Sequence, residues 1–158
     1  RQVVVLDMVD RTIIVKQLKE FGQNYVILEH NVKFFQLGQS RGEPIVFGNA
    51  AQKHILSSLN IKKASAVIVA VNNPEALHLI CEAVDSLTHN SKTIVTVTSE
   101  NDKITLETLH LEHVIVETDQ IARAVVDEVM SVDSISIINI NNNYKKYNYS
   151  FNLYLMII

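Results

Sequence analysis

The residues best suited to chemistry are carboxylates and amides that close apolar, β-branched runs. Glu29 and His30 follow Tyr25-Val26-Ile27-Leu28, Asn49 and Ala50 follow Ile45-Val46-Phe47-Gly48, and Asn72 and Asn73 follow Ala66 to Val71. Asp7, Met8, Val9 and Asp10 follow Val3-Val4-Val5-Leu6 in the same way. A buried strand ending in a polar turn delivers that turn to the carboxyl edge of a parallel sheet, where such sheets bind ligands. Glu29 lies about 20 positions beyond the first turn, the spacing at which a carboxylate accepts hydrogen bonds from ribose hydroxyls. A solvated residue at a strand end accounts for Glu29 equally, and both readings stay open. The first turn lacks the glycines that let a backbone approach a pyrophosphate. Val5, Asp7 and Asp10 stand in their places, and two carboxylates there oppose an anion. Binding that places a pyrophosphate at this turn is therefore disfavoured.

No catalytic set emerges. The six His residues are scattered, and His110 and His113 bridge a helix end and a strand start without sharing a helix face, so no metal site is expected. Cys81 falls on the apolar stripe of a helix and reads as a core thiol. Lys62-Lys63 reads as a solvated loop. Asn73 is explained by capping a helix, and Asn49 by turn formation or by the crevice.

Positioning these turns requires alternating strands and helices. Strands are expected at Val3–Leu6, Tyr25–Leu28, Ile45–Phe47, Ala66–Val71, Thr93–Thr98 and His113–Val116. Helices are expected over Arg11–Phe21, Lys33–Gln39, Gln52–Leu59, Pro74–Leu87, Asp102–Leu109 and from Thr118 or Asp119 to Met130. Asp10 and Asn31 serve as caps, Gly22 follows the first helix, and Ile14, Leu18 and Phe21 form its inner face. Strand and helix alternating six times predict an α/β fold, a doubly wound, Rossmann-like parallel sheet with helices on both faces. Beyond Ser131 the composition changes. Ile135–Ile140 admits one more strand, but residues 133–158 are biased towards Asn and Tyr and read as a disordered or adventitious tail after a domain over residues 1–132.

The chain of 158 residues is 47% hydrophobic and 20% charged, which fits one globular domain. A net charge of -3 gives no electrostatic case for nucleic acid, and the single Cys excludes an internal disulfide framework. No apolar run approaches the roughly 20 residues of a membrane helix. The opening directly on a strand, without Met, reads as a segment of a longer protein.

Taken together, Phe47-Gly48-Asn49-Ala50 with Ile55-Leu56, Ile61-Lys62-Lys63-Ala64-Ser65 leading into Ala66–Val71, and Asn73-Pro74-Glu75-Ala76 resemble the regulatory RCK, KTN or TrkA-N domain of bacterial potassium channels and transporters, most like the Kef-type efflux systems. The resemblance covers roughly Val3 to Met130. It implies an adenine nucleotide ligand, AMP or NAD(H), with Glu29 on the ribose and Asn49 where the family has an aspartate. It also implies a homodimer, a membrane transporter domain in the same longer chain or complex as partner, and a place on the cytoplasmic face of the bacterial inner membrane. The family's glycine-rich first turn and the Arg near the end of its fifth strand are missing here. A degenerate domain kept for assembly is the second reading. An NAD-dependent oxidoreductase is the third, although the sequence offers no acid/base residue and no substrate domain. The apolar positions Ile121, Ala122, Val125, Val126, Val129 and Met130, with Leu106 and Leu109, are expected to form the dimer surface.

Overall fold

A computed structural model describes residues 2–6, 11–88, 92–109 and 111–144, with the side chains of residues 11, 12 and 133–144 left undescribed. The chain divides into two compact units, Arg1–Thr118 and Asp119–Ile158.

The first unit holds strands β1 (Val3–Leu6), β2 (Tyr25–Glu29), β3 (Ile45–Phe47), β4 (Ala66–Val69), β5 (Thr93–Val97) and β6 (His113–Val116). They form one sheet in the order β3-β2-β1-β4-β5-β6, and every neighbouring pair is parallel. This is the Rossmann-like doubly wound order, and its direction reverses between β1 and β4. Helices α1 (Arg11–Glu20), α2 (Val32–Ser40), α3 (Lys53–Ser58), α4 (Pro74–Thr88) and α5 (Glu100–Thr105) connect the strands, with a short 3-10 helix at Ile61–Lys63.

The strands form because their residues suit burial on both faces. Val4 and Leu6 point to one side with Leu28, Val67, Val69, Val95 and Val97, and there they meet Leu56 of α3 and Leu77, Ile80 and Val84 of α4. Val3 and Val5 point to the other side with Ile27 and Ile68, where Val15 of α1 covers them. Local chemistry sets the helix ends. Asn31 Oδ1 accepts from the Lys33 and Phe34 N–H groups, and Asn73 Oδ1 accepts from Ala76 N–H at 2.8 Å. Gly22 takes φ 64° just past α1, where Gln23 N–H returns to Leu18 O at 2.8 Å and closes the helix.

Several expectations are corrected. Phe21 is 76% exposed, because α1 ends before it and the turn through Gly22 swings it outward, so Val15 supplies the inner contact. α5 starts two residues earlier than Asp102 because Ser99 caps it, and it ends at Thr105. Leu106 is 2% exposed and belongs to the core, with Leu109 packed against it, so neither adds to an outer surface. α6 (Glu117–Tyr144), whose first two residues close the first unit, continues as helix across Ile135–Ile140, where the sequence admits one more strand. Residues 145–158 lie outside the described residues.

One polar cluster ties α1 to the sheet. Lys19 Nζ donates to Glu43 Oε1 at 2.7 Å, and the Tyr25 hydroxyl donates to Glu43 Oε2. Burial raises the Glu43 carboxyl, but the bonds from Lys19 and Tyr25 outweigh it and leave the group below its ordinary range. A depressed carboxylate contributes stability above its unfolded value and loses it as the pH falls through the folded value. Glu43→Gln is therefore expected to cost about 1 kcal/mol near pH 7. The gap between variant and wild type should close in thermal unfolding as the pH falls through the depressed folded value, and a gap that persists once the carboxyl is protonated would refute the assignment.

Candidate functional site

The carboxyl ends of the strands gather the expected site residues into two groups on either side of β1. At β2, Glu29 pairs with Phe47 of β3, and Gly48 N–H donates to Glu29 O at 3.0 Å, which seats the Gly48-Asn49-Ala50 turn against the end of β2. A Cβ on Gly48 would meet Ile55 Cγ2 at 2.9 Å and Leu28 Cδ1 at 3.2 Å, so this close seating depends on glycine. Ala50 is buried, and Asn49 is exposed with its Oδ1 accepting from Ala51 N–H at 2.8 Å. Asn49 thus shapes its turn.

Glu29 is 1% exposed, which overturns the solvated reading. Its Oε1 accepts from Asn31 N–H at 2.7 Å and lies 3.7 Å from Nδ1 of the exposed His30. The same residue that caps α2 through its side chain therefore holds the Glu29 carboxylate through its backbone.

The second group lies beyond β1. Val71 is half-buried, while Asn72 and Asn73 are exposed at the end of β4, and Asn73 is engaged as the α4 cap. Two strand spacings separate the ends of β2 and β4, roughly 10 Å, and in the sequence Asp7, Met8, Val9 and Asp10 follow β1, the strand between them. Those four lie outside the described residues.

Sequence reasoning missed two acids here. Val71 and Asn72 share a small pocket with Thr98, Asp102 and Glu117. Asp102 Oδ2 accepts from Ser99 Oγ at 2.8 Å and Thr98 Oγ1 at 2.9 Å, and these hydroxyls hold its carboxyl below the ordinary range. The Thr98-Ser99-x-x-Asp102 spacing was the available signal, since a hydroxyl cap three residues before an acid joins both to one helix start. Nothing in the sequence marked Glu117.

Elsewhere the chemistry is quiet. Cys81 is fully buried and its thiol is pushed up to about 12 by burial, which leaves it unreactive. His113 is exposed, and His110 lies outside the described residues. Among the described residues no group of three His, Cys, Asp or Glu side chains is placed to hold a metal ion, and no helix is long and apolar enough to cross a membrane. A shallow depression of about 830 Å³ sits at the amino edge of the sheet, between Gln2, Asn24, Asn60 and Lys63, away from the strand ends described above.

Residues 12–117 match the family described as TrkA-N domain. Solved structures share the fold. The NAD(P)-binding domain of an exopolyphosphatase-related protein from Archaeoglobus fulgidus superposes with a TM-score of 0.74 at 20% identity, over 82% of this chain and 98% of that one. The TrkA-N domain of the inner membrane protein ybaL from Escherichia coli gives 0.71 at 16% identity, over 80% and 94%. The Kef CTD of Shewanella denitrificans in its AMP-bound form gives 0.69 at 16% identity, over 93% and 92%. No curated protein sequence matches the chain significantly.

Proposed function

The chain belongs to the TrkA-N domain family, and from that premise we propose that it is a regulatory domain of a potassium transport protein that binds an adenine nucleotide and performs no chemistry. The observation that carries the reading is Glu29, a carboxylate buried at the carboxyl end of β2 and next to the turn that holds Asn49. A carboxylate is acceptor-only, and the two ribose hydroxyls are donors, so the pairing is chemically matched. The proposed site comprises Asp7, Met8, Val9, Glu29, His30, Asn49, Ala50, Val71, Asn72 and Asn73. His30 would sit beside the ribose, while buried Ala50 and half-buried Val71 offer apolar contact for a flat base. AMP bound to the Kef CTD supports this ligand class, as does the NAD(P)-binding domain from Archaeoglobus fulgidus.

The partner would be a membrane domain of the same longer chain or complex, at the cytoplasmic face of the bacterial inner membrane. A bound nucleotide can bias such a partner only through different affinities for two states of the domain, so the crevice and a subunit contact must change together. Exposed apolar side chains of α6 support a homodimer as that contact. Ile121, Val125 and Val129 recur every fourth residue, and Val126 and Met130 widen the stripe. That surface also favours the second reading, a domain kept for assembly alone. Native mass spectrometry of the purified chain separates the two. Addition of AMP at micromolar concentration should give a mass increase of one nucleotide per chain, and an unchanged mass would favour assembly.

A further inference from the structure

We propose that the outer edge of the sheet, β3 together with the helix α2 that covers it, is a docking surface for an anionic lipid bilayer. The proposal goes beyond the nucleotide reading and does not depend on it. Its first ground is the way charge divides along the sheet. Among the described side chains, residues 13–65 hold seven Lys or Arg against three Asp or Glu, whereas residues 66–118 hold two against eight. The strand order β3-β2-β1-β4-β5-β6 sets these two stretches over opposite halves of the sheet, so a net charge of -3 conceals a basic half and an acidic half. The three acids of the basic half are engaged or buried. Glu43 is held by Lys19 and Tyr25, Glu20 lies 3.8 Å from Lys16, and Glu29 is buried, while Lys33, Arg41 and Lys53 are exposed on the elements that flank β3.

The second ground is that aromatic and aliphatic side chains are exposed on the same half. Phe34 and Leu37 of α2 are 41% and 44% exposed, and Val46 and Phe47 of β3 are 38% and 49% exposed. Residues 66–118, by contrast, contain no aromatic residue. Helix and strand hold this surface together. Gly38 seats α2 so close to β3 that a Cβ there would meet Ile45 Cδ1 at 2.7 Å, and Phe35 meets Phe47 edge to face with ring centroids 5.4 Å apart. Phe34, Leu37 and Arg41 then share one row of α2, spaced three and four residues, with Lys33 one turn before Leu37. Rings that enter the acyl boundary beside cations that meet phosphate are the two components of interfacial membrane binding. The acidic half supplies orientation. An anionic surface attracts the β3 side and repels the β6 side, so the field of the whole unit turns this edge towards the bilayer.

Flotation of the whole chain with lipid vesicles tests this. Vesicles of mixed phosphatidylglycerol and phosphatidylcholine are expected to bind it about tenfold or more tighter than phosphatidylcholine alone, with the difference lost at about 0.5 M salt. Lys33→Glu combined with Arg41→Glu should weaken binding about tenfold or more, and Phe34→Ser severalfold on its own. All three side chains are exposed, so circular dichroism should not change. Lys103→Glu alters a cation of the acidic half and should change binding less than about twofold. An equal loss from Lys103→Glu would mean that net charge alone matters, which overturns the assignment. Binding that survives the α2 variants and is lost with Val126→Glu would place the contact on α6 and overturn it as well. A chain that ignores phosphatidylglycerol vesicles also ends the proposal, and amide shifts over Lys33 to Arg41 on addition of a Glu-rich peptide would then make the patch a protein contact.

Discussion

Replacing Glu29 with glutamine is expected to leave the fold intact and to weaken an adenine nucleotide by about 1.5–3 kcal/mol, the range for a hydrogen bond to a charged group. Glutamine keeps the volume of a side chain that is 1% exposed, and its carbonyl oxygen can still accept from Asn31 N–H. Its amide NH₂, however, cannot accept, so the charge-assisted pair of hydrogen bonds from the two ribose hydroxyls is lost and at most one neutral bond replaces it. Glu29→Ala should behave differently. It removes the acceptor for Asn31 N–H and empties a buried volume, so about 1 kcal/mol or more of stability should be lost along with affinity. Calorimetry and thermal unfolding of both variants read the two effects separately. Unaltered affinity in the glutamine variant would give Glu29 a purely structural role at the β2–α2 turn.

Val126→Glu is expected to convert a dimer into a folded monomer. Val126 is 57% exposed on α6, with Met130 one turn on at 60% and Ile121, Val125 and Val129 along the adjoining row exposed as well. A two-fold contact through this stripe would set residue 126 near its own copy, and two carboxylates buried together leave uncompensated charge. A penalty of about 3 kcal/mol or more weakens association over a hundredfold. Light scattering should fall from twice the 17.8 kDa chain mass to the single mass, with the circular dichroism of the sheet unit unchanged. A wild-type chain that is already monomeric at micromolar concentration would remove both the dimer and the route by which a nucleotide signals through it. The edge strand β6 leaves Ile115 exposed as well, so each unit separately presents apolar surface of its own.

The alternation of elements was legible because local chemistry and burial agree along most of the chain. Runs such as Val3–Leu6 and Ala66–Val69 are rich in β-branched residues on both faces, and Asn31, Gly22 and Asn73 mark helix ends through caps that act within five residues. Where neighbours distant in sequence decide the outcome, the reading failed. Phe21 fits the helical period of α1 but falls beyond the last turn, and Leu106 looks like outer surface until the β5–β6 crossover folds it into the core. Ile135–Ile140 holds four isoleucines and admits a strand, yet α6 continues through it. Within the site, the position of Glu29 followed from strand length and spacing, but its burial depends on the Gly48 turn crossing the end of β2, which no local pattern announces. Glu117 reaches the β4–β5 end only through parallel register, and a single sequence carries no record of that.

The most direct measurement follows backbone amides of the isotopically labelled chain by NMR as AMP is added. Binding in the crevice should shift Glu29 to Asn31, Asn49 to Ala51 and Val71-Asn72 in a saturable, one-site manner, and should leave Asn24, Asn60 and Lys63 at the amino edge of the sheet unmoved. Shifts confined to that opposite edge, or none at millimolar AMP, would contradict an adenine-nucleotide site at the strand ends.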